Sequence, residues 1–110
     1  YNVIEFMTFG SPRIGNLNFV TKFANYNMYS KRITHYYDMV PHVPQNLLHY
    51  YHIPNEVWYN ENNDEYKICD DVNSPYNEDS KCSDSCSPTH CTSTSDHLYY
   101  LNVTMGSGGC

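Results

Sequence analysis

The run "VIEFMTFGSPRIGN", Val3 to Asn16, restricts the fold more than any other stretch. Val3 to Phe9 has Val, Ile, Phe, Met and Phe with few polar breaks, which predicts a buried strand of a mostly parallel sheet. Turn chemistry follows at once, with Gly10 and Gly15 for unusual φ and Pro12 to fix φ. Asn16 then has the character of an N-cap. From Asn16 to Tyr29 the apolar residues Leu17, Phe19, Val20, Phe23, Ala24 and Met28 recur near helical spacing. "KRITHYY", Lys31 to Tyr37, is β-branched and aromatic and reads as a second strand. Strand, turn, helix, strand is the repeating unit of a parallel α/β sheet.

"DMVPHVPQN" leaves the C-terminal end of that second strand, where sites gather in open α/β sheets. "HYYHIPNEVWYN" and "DEYKICD" predict two more strands, antiparallel around the turn "NENND". Residues 70 to 95 are polar, and a loop of that length needs disulfides to stay ordered. "SDHLYYLNV" predicts a short helix, and "GSGGC" a flexible tail. The chain does not begin with Met and starts inside a strand-like run, so it reads as an internal or C-terminal piece of a longer polypeptide.

Composition removes some partners. The net charge is −6, with six basic residues and no cluster of them, which argues against nucleic acid. No run of about 18 apolar residues is present, so no membrane-spanning helix is expected. Five cysteines, Cys69, Cys82, Cys86, Cys91 and Cys110, and the glycosylation acceptor pattern Asn102-Val103-Thr104 favour an oxidising compartment. The odd cysteine implies a partner outside the chain or a free thiol.

Several local patterns invite chemistry. Gly10 to Gly15 has the spacing of a phosphate-binding loop, but Asn16 and Leu17 replace its Lys and Ser/Thr. Ser11 lacks the G-x-S-x-G setting of a nucleophile elbow. A structural turn is therefore the expectation for "GSPRIGN". Asp38 directly follows a predicted strand, and His97 opens a short apolar helix. An Asp that orients a His, which activates a nucleophile, is a standard hydrolase arrangement, and α/β-hydrolases run Ser, acid, His along the chain. A metal site of Asp38 with His42, His49 and His52 is conceivable, though hydrogen-bonded loop histidines are the simpler reading. His35 would alternate on its strand. Cys82, Cys86, His90 and Cys91 can be read as zinc ligands or as disulfide cysteines, and their spacing fits no common finger. Tyr36, Tyr37, Tyr50, Tyr51, Tyr99 and Tyr100 suit packing, or the lining of an acyl groove.

Taken together, "TFGSPRIGN", "RITHYYDMVPHVP", "HIPNEVWY" and "CSDS" followed by "SDHLYYL" resemble the class 3 (fungal-type) triacylglycerol lipases. The four segments follow in the family's order and cover roughly residues 4 to 101. The resemblance implies the C-terminal portion of an α/β-hydrolase fold, with residues 1–110 part of one domain and a disulfide-bearing loop over about 69–95. It implies a Ser-Asp-His triad acting on lipid esters. By position, Asp38 matches the triad aspartate and His97 the triad histidine. The family's G-H-S-x-G elbow, oxyanion loop and lid precede this region, so the segment alone is expected to be inactive.

The resemblance further implies lipid ester at an oil–water or membrane interface as substrate, no metal or organic cofactor, and secretion or a secretory lumen. It implies pairing of Cys69 with Cys82 and of Cys110 with an upstream cysteine, which leaves Cys86 with Cys91. Two other readings fit the same residues. One is a non-catalytic homologue that binds lipid or protein. The other is a small secreted Cys-rich interaction domain.

Overall fold

The computed structural model describes residues 2–26, 29–86 and 89–106. A four-stranded sheet is its frame: β1 (Glu5–Phe9), β2 (Tyr29–His35), β3 (Glu56–Tyr59) and β4 (Tyr66–Ile68) lie side by side in that order. β1, β2 and β3 run parallel, with Glu5 opposite Tyr29 and Arg32 opposite Glu56, and β4 returns antiparallel to β3. The expected strand–turn–helix–strand unit is present, and α1 (Leu17–Ala24) makes the first crossover. Asn16 caps α1, its side chain accepting from the Phe19 N–H at 3.0 Å.

The elements differ from expectation in length and burial. α1 stops at Ala24, where the Asn25 N–H bonds back to Lys22 and Phe23. Tyr29 belongs to β2, and Met28 lies outside the described residues. β2 ends at His35, since Tyr36 turns into positive φ. β1 is less buried than its sequence suggests, with Met7 42% and Phe9 38% exposed. Among the described residues it pairs on one side only, with β2. β2 and β3 have neighbours on both sides, and β2 is the most buried of the four strands.

The core is small and partly polar. Ile33, Val57 and Tyr100 form its apolar centre, with Tyr59 and Met105 against them. Beside it Arg32 and Glu56, both fully buried, pair at 3.3 Å across β2 and β3. Asp71 stands 3.6 Å from the same guanidinium and takes the Asn55 and Glu56 N–H groups. Glu56 also accepts from Thr34 and Ser83. Breaking such a pair by removing one partner costs about 3–5 kcal/mol, because the other charge stays buried and unpaired.

The long loop after β4 is closed by two disulfides, Cys69–Cys82 and Cys86–Cys91, the pairs the resemblance implies. The loop cysteines read alternatively as zinc ligands therefore have their sulfurs in disulfides. Cys110 lies outside the described residues, as does most of the "GSGGC" tail. The loop leads into α2 (Thr94–His97), followed by a hairpin of β5 (Tyr99–Tyr100) and β6 (Val103–Thr104). No helix among the described residues is long and apolar enough to cross a membrane.

Candidate active site

Asp38 sits three residues past the end of β2, and the chain holds it from behind. Its N–H bonds to the His35 carbonyl at 2.9 Å. It also forms a parallel bridge with Ser93, the residue that caps α2. The Ser93 N–H donates to the Tyr37 carbonyl, and the Met39 N–H to the Ser93 carbonyl. The segment carrying Asp38 is thus laced to the segment carrying His97, although 59 positions separate the two side chains.

The result is a direct contact. His97 Nδ1 lies 3.0 Å from Asp38 Oδ2. The carboxylate can only accept, so Nδ1 carries the proton and Nε2 is left as the basic nitrogen. The Asp38 side chain is 1% exposed and that of His97 34%, which puts the acid inside and the base at the surface. Two further donors satisfy the buried carboxylate: the Val40 N–H reaches Oδ1 at 2.8 Å, and the Tyr100 hydroxyl reaches Oδ2 at 2.5 Å. Burial, and then the Asp38 charge, push the Tyr100 phenol far above its usual range, so it remains a donor.

His35 supports the same corner from the end of β2. Its Nδ1 lies 3.0 Å from the Asp96 carbonyl and its Nε2 3.1 Å from the Glu61 carbonyl. Asn63 Oδ1 is taken by the Leu101 N–H, and the Asn63 amide nitrogen stands 2.9 Å from His35 Nε2. The ring also packs edge-on against Tyr100. Sequence reasoning placed His35 only as an alternating strand residue and Tyr100 only as one tyrosine among many. The position of Tyr100 three residues after His97 is the signal that was there to be used.

"GSPRIGN" is a turn, as expected, and it also shapes the site. Ser11 donates to the neighbouring Pro12 carbonyl at 3.1 Å. Gly10 has φ +57°, and a Cβ there would stand 2.7 Å from His97 Nδ1 and 2.8 Å from Asp38 Oδ2. The histidines considered with Asp38 as metal ligands are placed otherwise. His52 Nε2–H donates to the Pro41 carbonyl at 2.8 Å, His42 is buried beside Arg13, and His49 sits in a left-handed turn. Asn102 and Thr104 are exposed on the β5–β6 hairpin, and Asn102 Oδ1 accepts from the Tyr99 hydroxyl.

The chain is similar in sequence and in fold to known proteins. The family model described as Lipase (class 3) matches residues 1–48. A Caenorhabditis elegans lipase is 31% identical, the match covering 97% of this chain and 38% of that protein. Lipase II from Rhizopus niveus superposes with a TM-score of 0.78 at 32% identity, covering 92% of this chain and 36% of the other. A solved triacylglycerol lipase whose catalytic centre is described as a serine protease triad gives 0.77 at 31%, again covering 92% and 36%. The chain spans little more than a third of each of these relatives, and over that span it has their α/β-hydrolase fold. In sequence and in fold, it belongs to the class 3 lipase family.

Proposed function

We propose that the protein containing this chain hydrolyses carboxylic esters of lipids, with His97 as general base and acid and Asp38 as the acid that orients it. The observation that carries this reading is the 3.0 Å contact between a partly exposed imidazole and a buried, three-fold hydrogen-bonded carboxylate. The nucleophile is a serine outside these 110 residues, and the chain forms one part of a single α/β-hydrolase domain. His97 Nε2 takes the serine proton as Oγ attacks the ester carbonyl, and returns it to the departing alcohol. Water then repeats the cycle on the acyl-enzyme and releases the fatty acid. Asp38 holds the tautomer and stabilises the imidazolium without taking the proton.

The loop after Asp38 supports a lipid ester as substrate. From Met39 to Asn55 the chain has no Asp, Glu, Lys or Arg. Leu47 is 83% and Leu48 61% exposed there, with Val43 and Tyr50 also exposed. In the full-length protein, Asp38→Asn is expected to lower turnover of a soluble short-chain ester by roughly 10³ to 10⁴ while the fold persists. His97→Ala is expected to lose at least as much. Wild-type rates in both variants would refute the assignment.

The two disulfides and the Asn102 acceptor support passage through the secretory pathway. Secreted protein from a eukaryotic host is expected to lose glycan mass at Asn102 on endoglycosidase treatment, and Asn102→Gln to abolish that shift. An unmodified Asn102 in secreted protein would contradict the glycosylation.

A further inference from the structure

Arg13 belongs to the turn "GSPRIGN", yet its side chain does something a turn does not require. It is 5% exposed, and its fork is filled on every side. Nε and Nη2 donate in parallel to Glu78, at 3.2 and 2.6 Å. Nη1 spans two carbonyls, those of His42 at 2.6 Å and Pro44 at 2.9 Å. The Arg13 N–H takes the carbonyl between them, Val43, at 2.9 Å. A single residue therefore grips three consecutive peptide units of the loop that leaves Asp38. Glu78 grips the same loop through Oε2, which accepts from Asn46 Nδ2 at 3.0 Å as well as from Arg13 Nε.

That loop feeds back on Asp38. Val40, whose N–H holds Asp38 Oδ1, accepts in turn from the Val43 N–H at 3.1 Å. Its carbonyl, the Pro41 carbonyl and the His42 carbonyl are thus all engaged, by Val43, by His52 and by Arg13. The span 39–45 has one 3-10 turn, Val40–His42, and no strand to hold it. Glu78 lies between Cys69 and Cys82, so the far end of the clamp rests on a cross-linked segment.

We propose that Arg13 and Glu78 are positioning residues for the triad acid. They fix the 40–46 loop so that the Val40 N–H keeps Asp38 turned toward His97. The inference rests on the reading of Asp38 and His97 given above. A lysine cannot replace this arginine, because one ammonium cannot bridge a carboxylate and two carbonyls in a plane. A misplacement of about 1 Å at a reacting pair can cost about a hundredfold in rate.

The test is a double-mutant cycle in the full-length protein, read on a soluble short-chain ester. Arg13→Lys is expected to lower kcat about tenfold to a hundredfold with KM changed less than about threefold. In the Asp38→Asn background the same change is expected to cost less than about threefold, because the group it positions is already disabled. Equal losses in both backgrounds would mean that Arg13 serves the fold alone, and would overturn the proposal. So would a wild-type rate for Arg13→Lys. Should Arg13→Lys fail to fold by circular dichroism, Glu78→Gln carries the same cycle with the same criteria. If wild-type protein and Asp38→Asn hydrolyse the ester equally, the triad reading itself fails and the clamp falls with it. A working triad with additive losses removes only the clamp.

Discussion

Gly10 stands where no side chain fits. A methyl group at its Cβ position would meet both members of the Asp38–His97 pair inside 3 Å, on a backbone already at positive φ. In the full-length protein, Gly10→Ala is expected to lower kcat on a soluble ester by about a hundredfold or more, because the imidazole has to move. The left-handed backbone costs only about 1–2 kcal/mol of stability, so activity should fall far more than the melting temperature does. Unchanged kcat in a folded Gly10→Ala protein would show that the pair lies elsewhere. Chain order and the resemblance of the motifs single out Asp38 and His97, and the structure puts the two side chains in contact, with His97 at the end of α2 rather than its start. Gly10, Tyr100 and His35 were not legible, because each acts through a neighbour 61 or more positions away: Gly10 beneath His97, Tyr100 on Asp38, His35 on Asp96. No local pattern encodes such distances.

At the scale of elements, alternation and spacing gave the right types for the main sheet and α1 but not the right bounds, while the helix expected over "SDHLYYLNV" ends at His97 and gives way to the β5–β6 hairpin. The β1–α1–β2 unit and the β3–β4 antiparallel pair were readable from β-branched runs and turn residues. The early end of α1 was not, because Phe23 and Ala24 continue the apolar spacing while Asn25 already closes the helix. Nor was the polar centre of the sheet, since Arg32 and Glu56 look like exposed strand residues until the Asp71 and Ser83 loop covers them.

The loop between β2 and β3 carries a pH dependence of its own. Burial, and then Arg32, lower the pKa of His52 well below the usual 6.5, and burial with Arg13 lowers that of His42. Glu78 Oε1 stands 3.7 Å from His52 but already serves Arg13, and it does not offset the burial. Both rings thus stay neutral in the folded state at pH values where the unfolded chain binds protons. Their contribution is complete above about pH 6.5 and is lost as pH falls from there toward their folded pKa values. Asp71, raised by burial, has the opposite sign, but only near and above the carboxylate range. The melting temperature is expected to fall between pH 7 and pH 5, and His52→Gln to flatten that fall. An unchanged slope in the variant would contradict the assignment.

Across the whole molecule, one group of exposed apolar side chains lies on β1, just before it, and at the start of α1. Val3, Ile4, Met7, Phe9, Leu17 and Phe19 are all at least 38% exposed, and β1 has one free edge among the described residues. A long apolar edge of this kind is a site for pairing with further chain. It accords with relatives that are nearly three times as long as the region matched here. The fold class and the family were legible because four motifs fall in a fixed order. Substrate preference was not, because the residues that would set it are not confined to these motifs.

The central claim is that Asp38 and His97 activate a serine lying outside these residues. A fluorophosphonate probe tests it most directly, since it phosphonylates an activated serine hydroxyl with loss of fluoride. Full-length protein is expected to take one label, on a serine outside the 110 residues, and His97→Ala to take none. The 110-residue chain alone should also remain unlabelled. A label on Ser11 or any other residue of this chain, or undiminished labelling of His97→Ala, would contradict the account.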